Sequence, residues 1–536
     1  MSNFYTDVVA PRADKQVTPQ SQPMQPIPGR ETEMARNNAG GFTFTLDQWG
    51  QLDRFLILGS DTPTYYQNER ELTKENAKNV FACVKADGVR AVNRSVEIST
   101  AGRAPKNDPA VFALAVAATH GDQETVKAAY AALPKVCRIG THLFQFIEAL
   151  DRMGKWNAAA KRGVAQWYTG RNVDRLAVQL LKYQSRNGWS HRDVLRLAHV
   201  KPLSDVQSGA FRYVVKGAEG MTQGQAVPKL LVDFERLKKA DARTAISIIR
   251  ENPDVSWELI PTELQRSADV WEALLPNMGL TAMIRKLGQL TNVGLIAPLS
   301  EGAKQVVAKL QDAEQLKAAR VHPITLLNAL KQYSAGKGDK GSLAWTPDQR
   351  VVSALNDAFY DSFSFIESTG QNYLLGVDCS SSMFGARVNR SSLTAAEVAG
   401  VMALAIAKRE PNHWVGGFNT QMGELKISPS MRLDQAMSVI QRFSWGGTDC
   451  ALPMLHAAKH RMEVDKFVVI TDNETWAGRV QPSQALRDYR KQFKRDSKLI
   501  VCGTTATSFT IADPQDPGML DVVGFDSAVP QLIQQF

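Results

Sequence analysis

The 536-residue sequence predicts a multidomain fold in which an array of short helices precedes an α/β, Rossmann-like domain. Two observations carry that prediction. From about residue 70 to 365, apolar residues recur at spacings of three and four in segments of roughly 10 to 18 residues, broken at Gly or Pro, as in amphipathic helices. From residue 373 onward, short apolar runs alternate with helix-length segments instead, the pattern of a parallel sheet covered on both faces. Composition agrees: 44% apolar and 22% charged residues describe an ordinary globular chain, long enough for two to four domains.

Residues 1–33 carry Pro11, Pro19, Pro23, Pro26 and Pro28 among Gln, Ser and Thr. So few apolar groups do not offset the entropy of ordering, and a disordered arm is expected. Asn37-Asn38-Ala39-Gly40-Gly41-Phe42 predicts a turn ahead of the apolar Phe55-Leu56-Ile57-Leu58. Helices are predicted over 110–120, 123–132, 141–153, 174–185 and 324–332, among others. Many short helices without a sequence repeat suit a stack of HEAT-like pairs, each burying the face of the last, although an ordinary helical domain shares the pattern. Gly336 to Ser342 is rich in Gly and Lys but lacks the GxxxxGK[ST] spacing and follows no strand, so it reads as a surface loop. The second half predicts strands at 373–378, 414–419, 466–471 and 498–503, with helices at 391–408, 432–442, 449–461 and 482–495.

The first of those strands stops at Asp378, and hydroxyls follow at Ser380 and Ser382. Open α/β sheets gather ligands at the carboxyl ends of their strands. The strand at 466–471 ends on Asp472, and Gly446-Gly447-Thr448-Asp449 brings another hydroxyl ahead of a helix. Two carboxylates and three hydroxyls suit a divalent cation, Mg²⁺, which takes oxygen ligands in an octahedron and keeps some of its waters. An isolated Asp-x-Ser-x-Ser also serves as a helix cap or turn; three oxygen-bearing segments in one domain favour the metal. The pattern is similar to the metal-ion-dependent adhesion site of von Willebrand factor A domains, with Asp378, Ser380, Ser382, Thr448 and Asp472 in its five positions. That resemblance implies binding of proteins through the metal.

The net charge of +9 is unevenly spread. From Gln371 to the end there are 17 basic and 16 acidic residues, whereas residues 151–201 alone hold 11 basic and 3 acidic. A concentrated basic face is the footprint of a phosphate-backbone binder, and a charge run is also an ordinary solvated helix face. Lys182 and Arg186, four apart, are expected on one face of a helix, spaced for adjacent phosphates. Aromatics interleave with the cations, which suits RNA; Trp156, Trp167 and Trp189 also suit core packing, and His191 and His199 suit either role.

With these residues, Cys137-Arg138-Ile139-Gly140-Thr141-His142-Leu143-Phe144, Gly446 to Met454, Thr471-Asp472-Asn473-Glu474-Thr475 and Phe509 to Pro514 closely resemble the Ro autoantigen family, over nearly everything from about Arg36 to Phe536. The resemblance implies a HEAT-like helical ring, the TROVE module, over 34–365, closed by a von Willebrand factor A domain over 366–536. It implies small noncoding Y RNA on the outer surface and single-stranded 3′ ends of misfolded RNA in a central hole. Carried over by motif, it places Y RNA contacts at Lys182, Arg186 and His199. It further implies an exoribonuclease partner such as polynucleotide phosphorylase, and a monomer. The proline-rich arm is not part of the family pattern.

Catalysis is not expected. Haloacid-dehalogenase-like phosphotransfer also starts from a strand-end aspartate, but needs a second acid two residues on, where Ser380 stands; His413, His456 and His460 have no legible nucleophile. Five cysteines without a CxxC pair or an apolar leader fit a reducing cytoplasm, and no stretch reaches the roughly 20 apolar residues of a membrane span.

Overall fold

The structure, a computed structural model, describes residues 24–60, 69–221, 226–319, 321–338, 342–362, 368–388, 392–443, 446–526 and 528–536. Helices run from Gln48–Leu58 and Glu69–Ala101 to Gln349–Asp361, most of them 8 to 14 residues long. They are short because the chain keeps starting new ones. Asp122, Asn157, Asn172, Ser204, Asp241, Ser300 and Asp312 each accept a hydrogen bond from a backbone N–H of the following first turn. Helices near in sequence pack on one another: Asp108–His120 lies against Glu69–Ala101, Gln123–Val136 and Gly140–Arg152. Late in the array the chain returns to its early part, where a ring nitrogen of His322, Nε2, meets the Arg103 carbonyl at 3.2 Å.

Eleven strands are present among the described residues. They are β1 (Met34–Arg36), β2 (Phe42–Thr45), β3 (Ser185–Arg186), β4 (Trp189–Ser190), β5 (Tyr373–Asp378), β6 (His413–Phe418), β7 (Met422–Glu424), β8 (Lys466–Thr471), β9 (Lys498–Gly503), β10 (Phe509–Thr510) and β11 (Met519–Val523). The main sheet has the order β11-β9-β8-β5-β6-β7, parallel except for the edge strand β7. Side chains alternate across it, so Leu374, Phe467, Val469 and Leu499 face one core with Met454 and Leu486. Leu375, Val377, Val468 and Ile500 face the other, which runs without a break into the helical array. Strands buried on both faces read as continuous apolar runs, which is why β5, β6, β8 and β9 are legible in the sequence.

Three strands of this half escape that reading. β7 and β10 are only three and two residues long. β11 carries Asp521, which pairs at 2.6 Å with the fully buried Arg54 and accepts the Thr510 hydroxyl.

The N-terminal segment belongs spatially to the second half. The turn at 37–41 joins β1 to β2, and β2 pairs with β10. Residues 24–33, expected to be disordered, are ordered here: Met24 is buried, its N–H donates to the Trp476 carbonyl, and Arg30 pairs with Asp513. Pro11, Pro19 and Pro23 lie outside the described residues, as do 339–341 of the glycine-lysine loop.

Candidate nucleic-acid interface and metal centre

At the carboxyl end of β5, Asp378 is gripped from two sides. The Ser380 N–H donates to Oδ1 at 2.9 Å and the Thr471 hydroxyl donates to Oδ2 at 2.5 Å. The Ser380 and Ser382 hydroxyl oxygens lie 3.1 Å apart. Ser381 N–H donates to the Gly446 carbonyl, which draws in the segment bearing Thr448, and the Thr448 carbonyl accepts from Trp476 and Ala477 at 3.0 Å each. Asp472, just past β8, accepts the Glu474 N–H on Oδ1 at 3.0 Å, while its buried Oδ2 has no partner among the described residues.

The five side chains are each at most 2% exposed. Burial, reinforced by the neighbouring Asp472 charge, pushes the Asp378 carboxyl up to about 7; burial raises Asp472 as well. Glu474 is pushed up to about 8 by burial and then by Asp472. No Lys or Arg hydrogen-bonds to Asp378 or Asp472 among the described residues, and no group of three His, Cys, Asp or Glu side chains is placed to hold a metal. A cation here would therefore depend on the hydroxyls. Two uncompensated carboxylates, an orphaned carboxylate oxygen and a serine pair suit a hard divalent ion.

The basic face differs from its sequence expectation. The helix that begins at Val173 ends at Lys182, not at 185, and Arg186 lies on β3. Lys182 and Arg186 therefore do not share a helical face. The cause is Asn187-Gly188, both with positive φ (52° and 78°), a two-residue turn that pairs Arg186 with Trp189. That dipeptide is a strong hairpin signal, and it was available in the sequence. Lys182 forms an ion pair with Glu258 at 2.9 Å; Arg186 and His199 are exposed, His199 as the left-handed cap of helix His191–Ala198. On that helix Arg192 and Arg196 both stand in solvent four residues apart, a cation pair that the sequence reading overlooked.

The aromatic residues divide. Trp167 is fully buried and donates its ring N–H to the Cys137 carbonyl at 2.5 Å. His191 is buried, within 2.7 Å of the Tyr168 hydroxyl, and burial pushes it down to about 4, so it is a neutral core residue. Trp156 and Trp189 are half-buried.

The family model described as the Ro60 vWA domain matches residues 372–536, and that of the TROVE domain matches 35–249 and 242–332. The chain is 39% identical over 511 residues to the RNA-binding protein RO60 of Deinococcus radiodurans, covering 94% of this chain and 96% of that one. The chain belongs to the Ro family. It is also 32% identical to the RNA-binding protein RO60 of Caenorhabditis elegans, over 93% of this chain and 89% of the relative. The crystal structure of the Deinococcus radiodurans Ro protein superposes with a TM-score of 0.69 at 37% identity, covering 91% of this chain and 99% of that one. In this Ro-family chain the TROVE match contains the basic face and starts within β1, on a hairpin that packs against the other domain. The vWA match contains all five oxygen-bearing residues, Asp378, Ser380, Ser382, Thr448 and Asp472.

Proposed function

We propose that this protein binds RNA and has no catalysis of its own. It holds small noncoding Y RNA on the outer surface of its helical ring through Lys182, Arg186 and His199, and takes single-stranded 3′ ends of misfolded or structured RNA into a central hole. It works in noncoding-RNA quality control and processing, as a cytoplasmic monomer, with polynucleotide phosphorylase or another exoribonuclease supplying the cleavage. The observation that carries this reading is the excess of exposed cations on helices 158–198 in a chain of the Ro family. Lys182 reaches a phosphate only by giving up Glu258: the two side chains are about a quarter exposed (25% and 23%), so the exposed Arg186 and His199 meet RNA first.

In the same reading, Asp378, Ser380, Ser382, Thr448 and Asp472 hold Mg²⁺. A bound cation supplies charge compensation and a coordination position for an outside oxygen ligand. Thr471 and the Ser380 N–H fix the Asp378 carboxylate for that role. This pocket also supports a second reading, a metal-dependent protein-adhesion scaffold.

Three RNAs of one duplex sequence test the RNA reading at fixed salt: blunt, with a 3′ overhang of about ten nucleotides, and with the same overhang at the 5′ end. The 3′ overhang should bind about tenfold more tightly than the blunt duplex, and the 5′ overhang should gain less. Equal affinity for all three removes the mechanism. Absence of RNA binding together with Mg²⁺-dependent protein capture supports the adhesion reading instead.

A further inference from the structure

The hairpin that takes Arg186 off the helix also sets an aromatic surface beside it. Arg186 and Trp189 are directly opposed across β3 and β4, so their side chains stand on one face of the hairpin. The Trp156 ring lies next to Trp189, with centroids 6.4 Å apart and planes inclined by 30°. Both indoles are half-buried and pack in part against the helical core. Trp167 and Trp271, by contrast, are fully buried, and each donates its ring N–H to a carbonyl, of Cys137 and Gln265. Trp156 Nε1 is buried and has no acceptor among the described residues. Exposed cations Lys155 and Arg192 are close by in sequence to the two indoles.

We propose that Trp156 and Trp189, together with Arg186, form a stacking site for an unpaired nucleobase of the bound RNA. The proposal rests on the RNA-binding reading and names the chemical group that this face selects. An aromatic face accepts any base because every base has a π-face, and a guanidinium beside it takes the adjoining phosphate. Bases inside a duplex are already stacked on each other. Only a bulged or single-stranded nucleotide can reach the indoles, so selection for unpaired RNA begins on the outer face.

The test uses the full chain, a hairpin RNA with one bulged nucleotide, and the same hairpin fully paired, at one salt concentration. Wild-type protein should prefer the bulged RNA about 5- to 150-fold, the range for stacking one base. Trp156→Leu and Trp189→Leu keep an apolar side chain but lose the π-face, and should lose that preference while still binding the paired hairpin. Trp→Phe variants at both positions should keep most of it. Arg186→Ala should weaken both RNAs and lower the salt slope by about one. Folded Leu variants that retain the preference overturn the stacking site and leave RNA binding intact; wild-type protein that binds neither hairpin overturns the RNA-binding reading itself. Should the Leu variants fail to fold, 2-aminopurine at the bulge reads the site in the unmodified protein. Its fluorescence should be quenched on binding, and unchanged fluorescence at saturation overturns the proposal.

Discussion

Asp378, Ser380, Ser382, Thr448 and Asp472 are almost wholly removed from solvent, whereas Arg186, Arg192, Arg196 and His199 all stand in it. The first group gains its properties from burial: its carboxyls are raised because their charge has left water, and Asp378 and Asp472 are placed by the ends of β5 and β8. The basic face gains its properties from number. Each cation is solvated and screened over about 8 Å at physiological ionic strength, so no single residue decides the outcome. Deletions in the two regions should therefore behave differently: all-or-none in the pocket, graded on the face.

The largest effect is expected at Asp378→Ala, which should abolish binding of Mg²⁺, or of Mn²⁺ followed by electron paramagnetic resonance. RNA affinity should stay within about twofold, because the exposed cations lie in the other region. Loss of RNA binding in a folded Asp378→Ala variant would join what the comparison keeps apart.

Acid should act on the core beneath the basic face. His191 is neutral when folded, held down to about 4 by burial, whereas an unfolded histidine titrates near 6.5. Its contribution is complete above the unfolded value and declines as the pH falls from there toward 4, since only the unfolded chain takes up the proton in that window. Between pH 6 and 5, wild-type protein should lose about 1 kcal/mol more stability than His191→Phe. Parallel unfolding curves for the two proteins would show that His191 is not held neutral.

A smaller effect is expected where the N-terminal turn touches the pocket loop. The Glu474 carboxylate accepts from Asn38 Nδ2 at 2.7 Å and from the Ala39 N–H at 3.0 Å. Asn38→Ala should cost about 1 kcal/mol in chemical unfolding. An unchanged midpoint would mean that the turn merely rests on the loop.

The two regions were also unequally legible. Asp378, Ser380, Ser382 and Asp472 could be placed from the sequence because they end or directly follow the buried strands β5 and β8, so local sequence sets their position. The same strands were readable because they are buried on both faces. The basic face was legible as composition but not as geometry. Its charge count located the region, yet the helix period carried past Lys182 until Asn187-Gly188 turned the chain, and the Glu258 partner comes from far along the sequence. Likewise the order of residues 24–45 depends on Asp513, Trp476 and β10, which no local pattern announces.

The most direct measurement is the affinity of a Y RNA-like stem-loop for wild-type protein and for the Lys182→Ala, Arg186→Ala, His199→Ala triple variant, over 50 to 200 mM salt, as a logarithmic plot. The wild-type line should fall steeply. The folded variant should bind about 100-fold more weakly at the low-salt end and show a slope lower by about two. Superimposed lines, or wild-type affinity independent of salt, would contradict RNA capture by the exposed face.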